Sequence, residues 1–416
     1  MAKGKVWLVG AGPGDAELLT KKAERVLNMA DVIVYDALVG QAIIAGLPET
    51  VEKVYVGKRS SHHAMSQEEI SRLLVSYAER GKNVVRLKGG DPFLFGRGGE
   101  EIEELLAGGI NYEVVPGITS ALAVPAYNGI PVTHRDYCSS LHIITGHKRR
   151  GKSLELDYEA LCRMEGTLVF LMGVASAPEI CQGLITAGMT PQMPAALLSQ
   201  GTTAGQQRLI STVSELPWRM EKEKLPTPAI LLIGKVCALA EDFGWYEKLP
   251  LAGWKVLVTR PRQHISKTAD LLRQKGAEVL ELPSICTVPV EDNGRLYEAF
   301  EKLDTYQWII FTSPAGVEIF FDEMDRKEMD VRSLGQAKIA VIGEGTKKKL
   351  KEHHLLADFV PGVYDGDTLG AELAKQLQGN EKILIPRAEA GNKKLTELLE
   401  QTGAQVDDIA TYTTRY

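Results

Sequence analysis

Through the first 115 residues, short β-branched runs alternate with helical stretches, and that rhythm restricts this part of the chain to a mostly parallel sheet flanked by helices. Val6–Val9, Val32–Tyr35, Val54–Val56, Val84–Leu87 and Tyr112–Val115 read as strands, each closed by Gly, Asp or Pro. Between them Glu17–Met29, Ser66–Arg80 and Gly99–Ala107 read as helices, and Ser66 with Glu69 is a capping box that fixes one helix start. A sheet of this kind carries its ligand sites at the carboxyl ends of its strands. After Pro116 the texture changes. Leu141–Thr145, Thr167–Met172, Ala195–Ser199, Gln206–Ile210 and Ala229–Ile233 read as a second, more mixed sheet, and 241–253 reads as connecting sequence.

The remainder contains an internal repeat. Val256–Arg260 recurs as Ile383–Arg387, Leu271-Leu272 as Leu398-Leu399, and Gly276–Val279 as Gly403–Val406, each pair at the same offset. Two similar strand-helix-strand units therefore sit in one module. A further strand, Trp308–Ser313, follows the first copy, and its counterpart would begin past Tyr416. The expectation is a module lacking its last part. The fold class is thus α/β: a parallel-sheet lobe (about 1–116), a mixed-sheet lobe (117–247), a linker at 248–253, and an incomplete two-lobed α/β module over 254–416.

Composition narrows the function classes. A chain of 416 residues, 44% hydrophobic and 25% charged, is ordinary globular material for two or three domains. No apolar run approaches the ~20 residues of a membrane helix, and the amino terminus lacks a secretory apolar segment. A net charge of −6 argues against non-specific nucleic-acid binding. Cys138, Cys162, Cys181, Cys237 and Cys286 form no CxxC pair, which points to a reducing cytoplasm and no structural zinc. His62-His63 has no third ligand in sight and reads as a surface loop, so no metal is expected.

Gly10-Ala11-Gly12-Pro13-Gly14-Asp15 stands where a dinucleotide fingerprint would sit. Pro13 deletes one of the N–H groups that would hold a pyrophosphate, and Asp15 sets a carboxylate where the phosphate would lie. A cofactor without phosphate but with a cationic centre, such as S-adenosylmethionine, is compatible. Lys88–Glu101 carries a second glycine turn, in which Gly89 and Gly90 permit close backbone approach and Asp91 can accept hydrogen bonds. Pro116–Ser120 supplies a third.

These segments resemble the uroporphyrinogen-III C-methyltransferases of the tetrapyrrole methylase class. The likeness runs in order through Val9–Asp15, Val34–Asp36, Val56–Arg59, Arg86–Phe93, Phe95–Glu101, Val115–Thr119, Gly129–Arg135 and Thr145–His147, within the first 247 residues. Enzymes acting on precorrins or on diphthamide share parts of it; Val56-Gly57-Lys58 with Thr133-His134-Arg135 points to uroporphyrinogen. The resemblance implies two methyl transfers from S-adenosylmethionine to pyrrole carbons of uroporphyrinogen III, giving precorrin-2 on the way to sirohaem or cobalamin. It also implies a homodimer.

By the same resemblance, Asp36 matches the family's proton acceptor and Lys58 its proton donor. Pro13, Gly89, Gly90, Asp91, Leu94, Thr119, Ser120, Met172 and Gly201 would contact the methyl donor, with Ala229 a weaker candidate. Leu94 and Ser120 stand where the family commonly has isoleucine and alanine. Eight substrate carboxylates require a basic lining, for which Lys58, Arg59, Arg86, Arg97, His134 and Arg135 are the candidates; Lys148–Arg150 serves equally as a solvated loop. Residues 251–416 resemble uroporphyrinogen-III synthase, with Thr346 and Tyr412 at positions that family associates with its site. Its first and last segments together build one lobe, so the expectation is weak or absent synthase activity. Competing readings are a later-acting precorrin methyltransferase, a nicotinamide-dependent oxidoreductase and a non-catalytic tetrapyrrole carrier.

Overall fold

A computed structural model describes residues 2–57, 65–146, 155–259 and 262–415, with backbone alone over 262–266. The chain forms two compact units, one comprising 1–258 with 264–282, the other 259–263 with 283–416.

The first unit opens with five parallel strands: β1 (Lys5–Gly10), β2 (Val32–Tyr35), β3 (Glu52–Tyr55), β4 (Val84–Lys88) and β5 (Asn111–Val115), in the order β3-β2-β4-β1-β5. Alternate residues serve opposite faces. Trp7, Val9 and Leu87 pack with Ala23, Val26 and Ile43, from α1 (Lys21–Asn28) and α2 (Gln41–Ala45). Val6, Leu8 and Val34 pack with Leu74 and Leu105, from α3 (Gln67–Glu79) and α4 (Gly98–Ala107). Burial on both faces explains the unbroken apolar runs of the sequence. One expectation fails. Glu17–Met29 is not a single helix, because Asp15 caps a short turn at Ala16–Leu18 and Thr20 starts α1 afresh. Leaving β1 the chain crosses to the face covered by α1 and α2, leaving β4 to the face covered by α3 and α4, and the loops at these strand ends line a crevice at the sheet's carboxyl edge.

Next come α5 (Ser120–Tyr127) and strands β6 (Leu141–Thr145), β7 (Thr167–Leu171), β8 (Pro194–Ser199), β9 (Gln207–Thr212) and β10 (Ala229–Ile233), in the order β6-β7-β10-β8-β9. Only β6 and β7 pair parallel. Ala121 and Val124 of α5 pack on one face with Val169, Leu198 and Ile230.

The same unit holds β11 (Lys255–Val258) and β12 (Glu278–Glu281), a two-stranded parallel sheet. Such a pair is marginal alone and leans on its surroundings. Tyr246 Oη donates to the Gly276 carbonyl at 3.2 Å, Leu251 N to Lys275 O at 2.8 Å, and Ala204 N to Glu278 Oε2 at 2.9 Å. Sequence reading grouped this segment with 254–416; by contacts it joins the first unit.

The second unit contains β13 (Cys286–Pro289), β14 (Trp308–Phe311), β15 (Lys338–Val341), β16 (Lys382–Ala388) and β17 (Gln405–Arg415), in the order β13-β17-β16-β14-β15, with only β13 antiparallel. The internal repeat is visible in its register. Lys255 pairs with Glu278, and Lys382 with Gln405, positions separated by the repeat's own offset.

Candidate active site

The crevice widens into a cavity of about 1080 Å³ within the first unit, lined from the loops after β1, β2, β4, β7 and β8 and from the start of α5. Glycine makes the convergence possible. Gly90 N donates to Gly12 O at 2.7 Å and Gly12 N to Gly90 O at 3.2 Å. A Cβ on Gly117 would stand 2.3 Å from Gly90 O, so the third turn touches the second with no room for a side chain. Gly90 has φ +68°, and a Cβ there would meet nothing nearer than Ser120 N at 3.9 Å. A side chain at Gly90 would enter the cavity.

Pro13, Asp36, Arg86, Gly89, Gly90, Asp91, Leu94, Arg97, Thr119, Ser120, Met172, Gly201 and Ala229 all line this one cavity. Asp91 also ties the turns together. Its Oδ1 accepts from Phe93 N at 2.8 Å and Leu94 N at 3.1 Å, and its Oδ2 from Gly117 N at 3.1 Å. One of a carboxylate's roughly four acceptor sites stays open. Met172 is not in a strand: it follows β7 at φ +56°, and its 53% exposure separates it from the core. Phe95, Arg97 and Gln200 line the cavity with positive φ as well. Left-handed backbone at non-glycine residues stores strain and gathers at functional sites.

Asp15 departs from expectation. It does not line the cavity; Tyr127 Oη donates to its Oδ2 at 2.8 Å and Glu17 N to its Oδ1 at 2.9 Å. Helix capping and α5 take the carboxylate that the sequence placed at a phosphate position. His134 and Arg135 lie elsewhere too. His134 Nδ1 accepts from Asp136 N at 3.2 Å, and its ring packs edge-on against Tyr137. Lys58, Arg59, His62, His63 and Lys148–Arg150 lie outside the described residues.

Beneath the cavity lies a charged network that sequence reading did not find. Asp36 Oδ2 accepts from Arg86 Nη2 at 2.8 Å and Oδ1 from Leu38 N at 3.1 Å. Arg86, 3% exposed, also donates from Nε to Glu101 Oε1 at 3.2 Å and from Nη1 to the carbonyls of Leu87 and Val34. Four of its five N–H groups are thereby engaged, which leaves no bidentate fork for a substrate carboxylate. Lys88 Nζ and Gln67 Nε2 reach Glu101 Oε1 at 2.8 and 2.9 Å, while the buried Oε2 has no partner among the described residues. Burial, then Arg86, push the Lys88 ammonium below the ordinary lysine range, and Glu101 pulls it back. Lys88 and Glu101 flank the glycine motif, Lys88 at the end of β4 and Glu101 in α4; the only signal was a lysine closing an apolar strand. Arg97 is exposed and paired with Glu100.

In the second unit Tyr412 Oη lies 2.6 Å from Ser313 Oγ, at the carboxyl end of β14. Thr346 is buried in the first turn of the helix Glu344–Glu352.

Comparison with known proteins matches residues 5–217 to the family model for tetrapyrrole (corrin/porphyrin) methylases and 266–416 to that for uroporphyrinogen-III synthase. The chain is similar to a porphyrin biosynthesis protein, HemD, of Ruminiclostridium josui, with 46% identity over all of this chain and 82% of that one. It is similar to the uroporphyrinogen-III C-methyltransferase of Bacillus subtilis (strain 168), with 40% identity over 86% of this chain and 73% of that one. Among solved structures, a cobalamin biosynthetic enzyme, cobalt precorrin-4 methyltransferase, aligns at TM-score 0.51 and 26% identity, over 56% of this chain and 95% of that one.

Proposed function

This chain belongs to the tetrapyrrole (corrin/porphyrin) methylases, and from that premise we propose that its first unit transfers two methyl groups from S-adenosylmethionine to pyrrole carbons of uroporphyrinogen III, leaving precorrin-2 and S-adenosylhomocysteine. The observation that carries this reading is the meeting of the turns at Gly12, Gly90 and Gly117 over one large cavity. The residues fit the methyl donor. Space is open at Gly90, Leu94 and Met172 offer apolar contact, and Asp36 and Asp91 offer carboxylates to a cation. Pro13 offers no N–H to a phosphate.

The chemistry supplied by a bound sulfonium is an already activated methyl electrophile, so the chain's task is alignment, exclusion of water and removal of one proton. Asp36 is the proposed acceptor of that proton, with Arg86 fixing Oδ2 at the cavity wall. Lys58 is the proposed donor. Arg97, with Arg59, is the proposed set for the substrate's carboxylates at the cavity, and Arg86 contributes through Asp36; His134 and Arg135, which do not line the cavity, are proposed only for carboxylates that extend beyond it. Thr346 and Tyr412 remain the proposed synthase-like residues of the second unit, supported by the Ser313–Tyr412 hydroxyl pair.

Mass spectrometry after incubation with uroporphyrinogen III and labelled methyl donor tests the reading. A gain of two methyl groups is expected; none on uroporphyrinogen but one on a precorrin points to a later-acting methyltransferase. All five cysteines are free, in keeping with a proposed reducing, cytoplasmic setting. The proposed homodimer is checked by light scattering.

A further inference from the structure

The cavity is lined from outside the methylase segment as well. Lys255 on β11 and Glu278 on β12 both border it, although the methylase family match ends at residue 217. They pair with each other across the strand register and by an ion pair of 2.9 Å. Each also holds the rim of the cavity. Lys255 Nζ donates to Gln41 Oε1 at 3.3 Å, at the first residue of α2, and Glu278 Oε2 accepts from Ala204 N at 2.9 Å. Gln41 and Ala204 line the cavity themselves.

The balance of charge at this rim gives the pair its meaning. Arg86 and Lys88 border the cavity but are bound to Asp36 and Glu101, and Arg97 is paired with Glu100. Lys255 keeps 45% of its side chain exposed against 14% for Glu278, and two of its three N–H donors are engaged among the described residues. The third is available to an anion entering the cavity.

We propose that β11 and β12 complete the wall of this cavity and that Lys255 gives a cationic contact to a carboxylate of the bound ligand. The inference rests on the methyl-transfer reading for its ligands, and the carboxylate has two sources there: the amino-acid end of the methyl donor, or a side chain of the macrocycle. Glu278 sets the strength of the contact by competing for the same ammonium.

Equilibrium binding on the full chain tests it without requiring turnover, with S-adenosylhomocysteine titrated by calorimetry and uroporphyrin III by fluorescence quenching. K255Q is expected to weaken one ligand about three- to five-fold, the range of a partly exposed ion pair. K255R is expected to restore it, and E278Q to tighten the same ligand, since it frees the ammonium while an amide oxygen still accepts from Ala204. Which ligand responds identifies the source of the carboxylate. The proposal is overturned if K255Q changes neither affinity, or if K255Q and E278Q weaken binding alike, as a mere brace would. Urea midpoints within error of the parent confirm that each variant is folded. Failure of the unaltered chain to bind either ligand would overturn the methyl-transfer reading together with this one; a parent that binds both and a silent K255Q overturns this one alone.

Discussion

Arg86 on β4 reaches across to Asp36 at the end of β2, 2.8 Å from Nη2 to Oδ2, with only 3% of the arginine exposed. A guanidinium that the sequence offered to an anionic substrate is thus directed at a carboxylate of the protein itself. Fixing that carboxylate at a cavity wall is what a proton acceptor needs, because proton transfer depends on position before it depends on basicity.

Asp36→Asn keeps the shape and one of the two accepted hydrogen bonds but removes the charge. Turnover is expected to fall by about 100-fold or more, the usual scale of a lost general base. Affinity for S-adenosylhomocysteine by calorimetry is expected to stay within two-fold or so of the parent. Unchanged turnover would favour a tetrapyrrole carrier.

Glu101 is fully buried and receives Arg86, Lys88 and Gln67 on one oxygen. Glu101→Ala leaves two cations without their common partner, at an expected cost of about 3–5 kcal/mol in urea unfolding. Adding Lys88→Met to it is expected to recover part of that loss. An additive double variant would show that the two groups do not interact.

Gly117→Ala forces a methyl against Gly90 O, whereas Gly99→Ala, in the first turn of α4, meets nothing within 4 Å. The first is expected to abolish measurable S-adenosylhomocysteine binding by parting the turns. The second is expected to bind normally and to gain up to about 1 kcal/mol from reduced freedom of the unfolded chain.

Burial pushes the Cys181 thiol up to about 12, from an ordinary 9. A raised value means the folded protein holds the proton longer than the unfolded one, so the thiol's contribution is complete below pH 9 and is lost as pH climbs from there towards 12. Cys181→Ala is expected to flatten the fall in unfolding free energy between pH 9 and 10 by about 1 kcal/mol, measured by urea denaturation at each pH.

The parallel sheet, the mixed sheet and the repeat were legible because each is written in local periodicity. Val6–Val9 is apolar on both faces, Ser66 and Glu69 cap one helix, and the repeated strand-helix-strand unit keeps its register in both copies. The glycine turns were legible as well, since only a missing Cβ permits Gly90 and Gly117 to touch. Roles that depend on a distant partner were not. Asp15 was taken by Tyr127, 112 positions away, and Arg86 by residues on two other elements.

Sequence alone determined most of the strands of the first two sheets, to within a residue or two at their ends, and that three glycine turns share one edge, because these follow from side-chain period and backbone freedom within a few residues; β13, β15 and the end of β7 before Met172 it did not. Tertiary structure decided which charges face the cavity: it buried Arg86 and Lys88 on Glu101 and brought Lys255 and Glu278 to the rim. A charge settles where oppositely charged and hydrogen-bonding groups offset its loss of water, and those groups come from parts of the chain that only folding brings together.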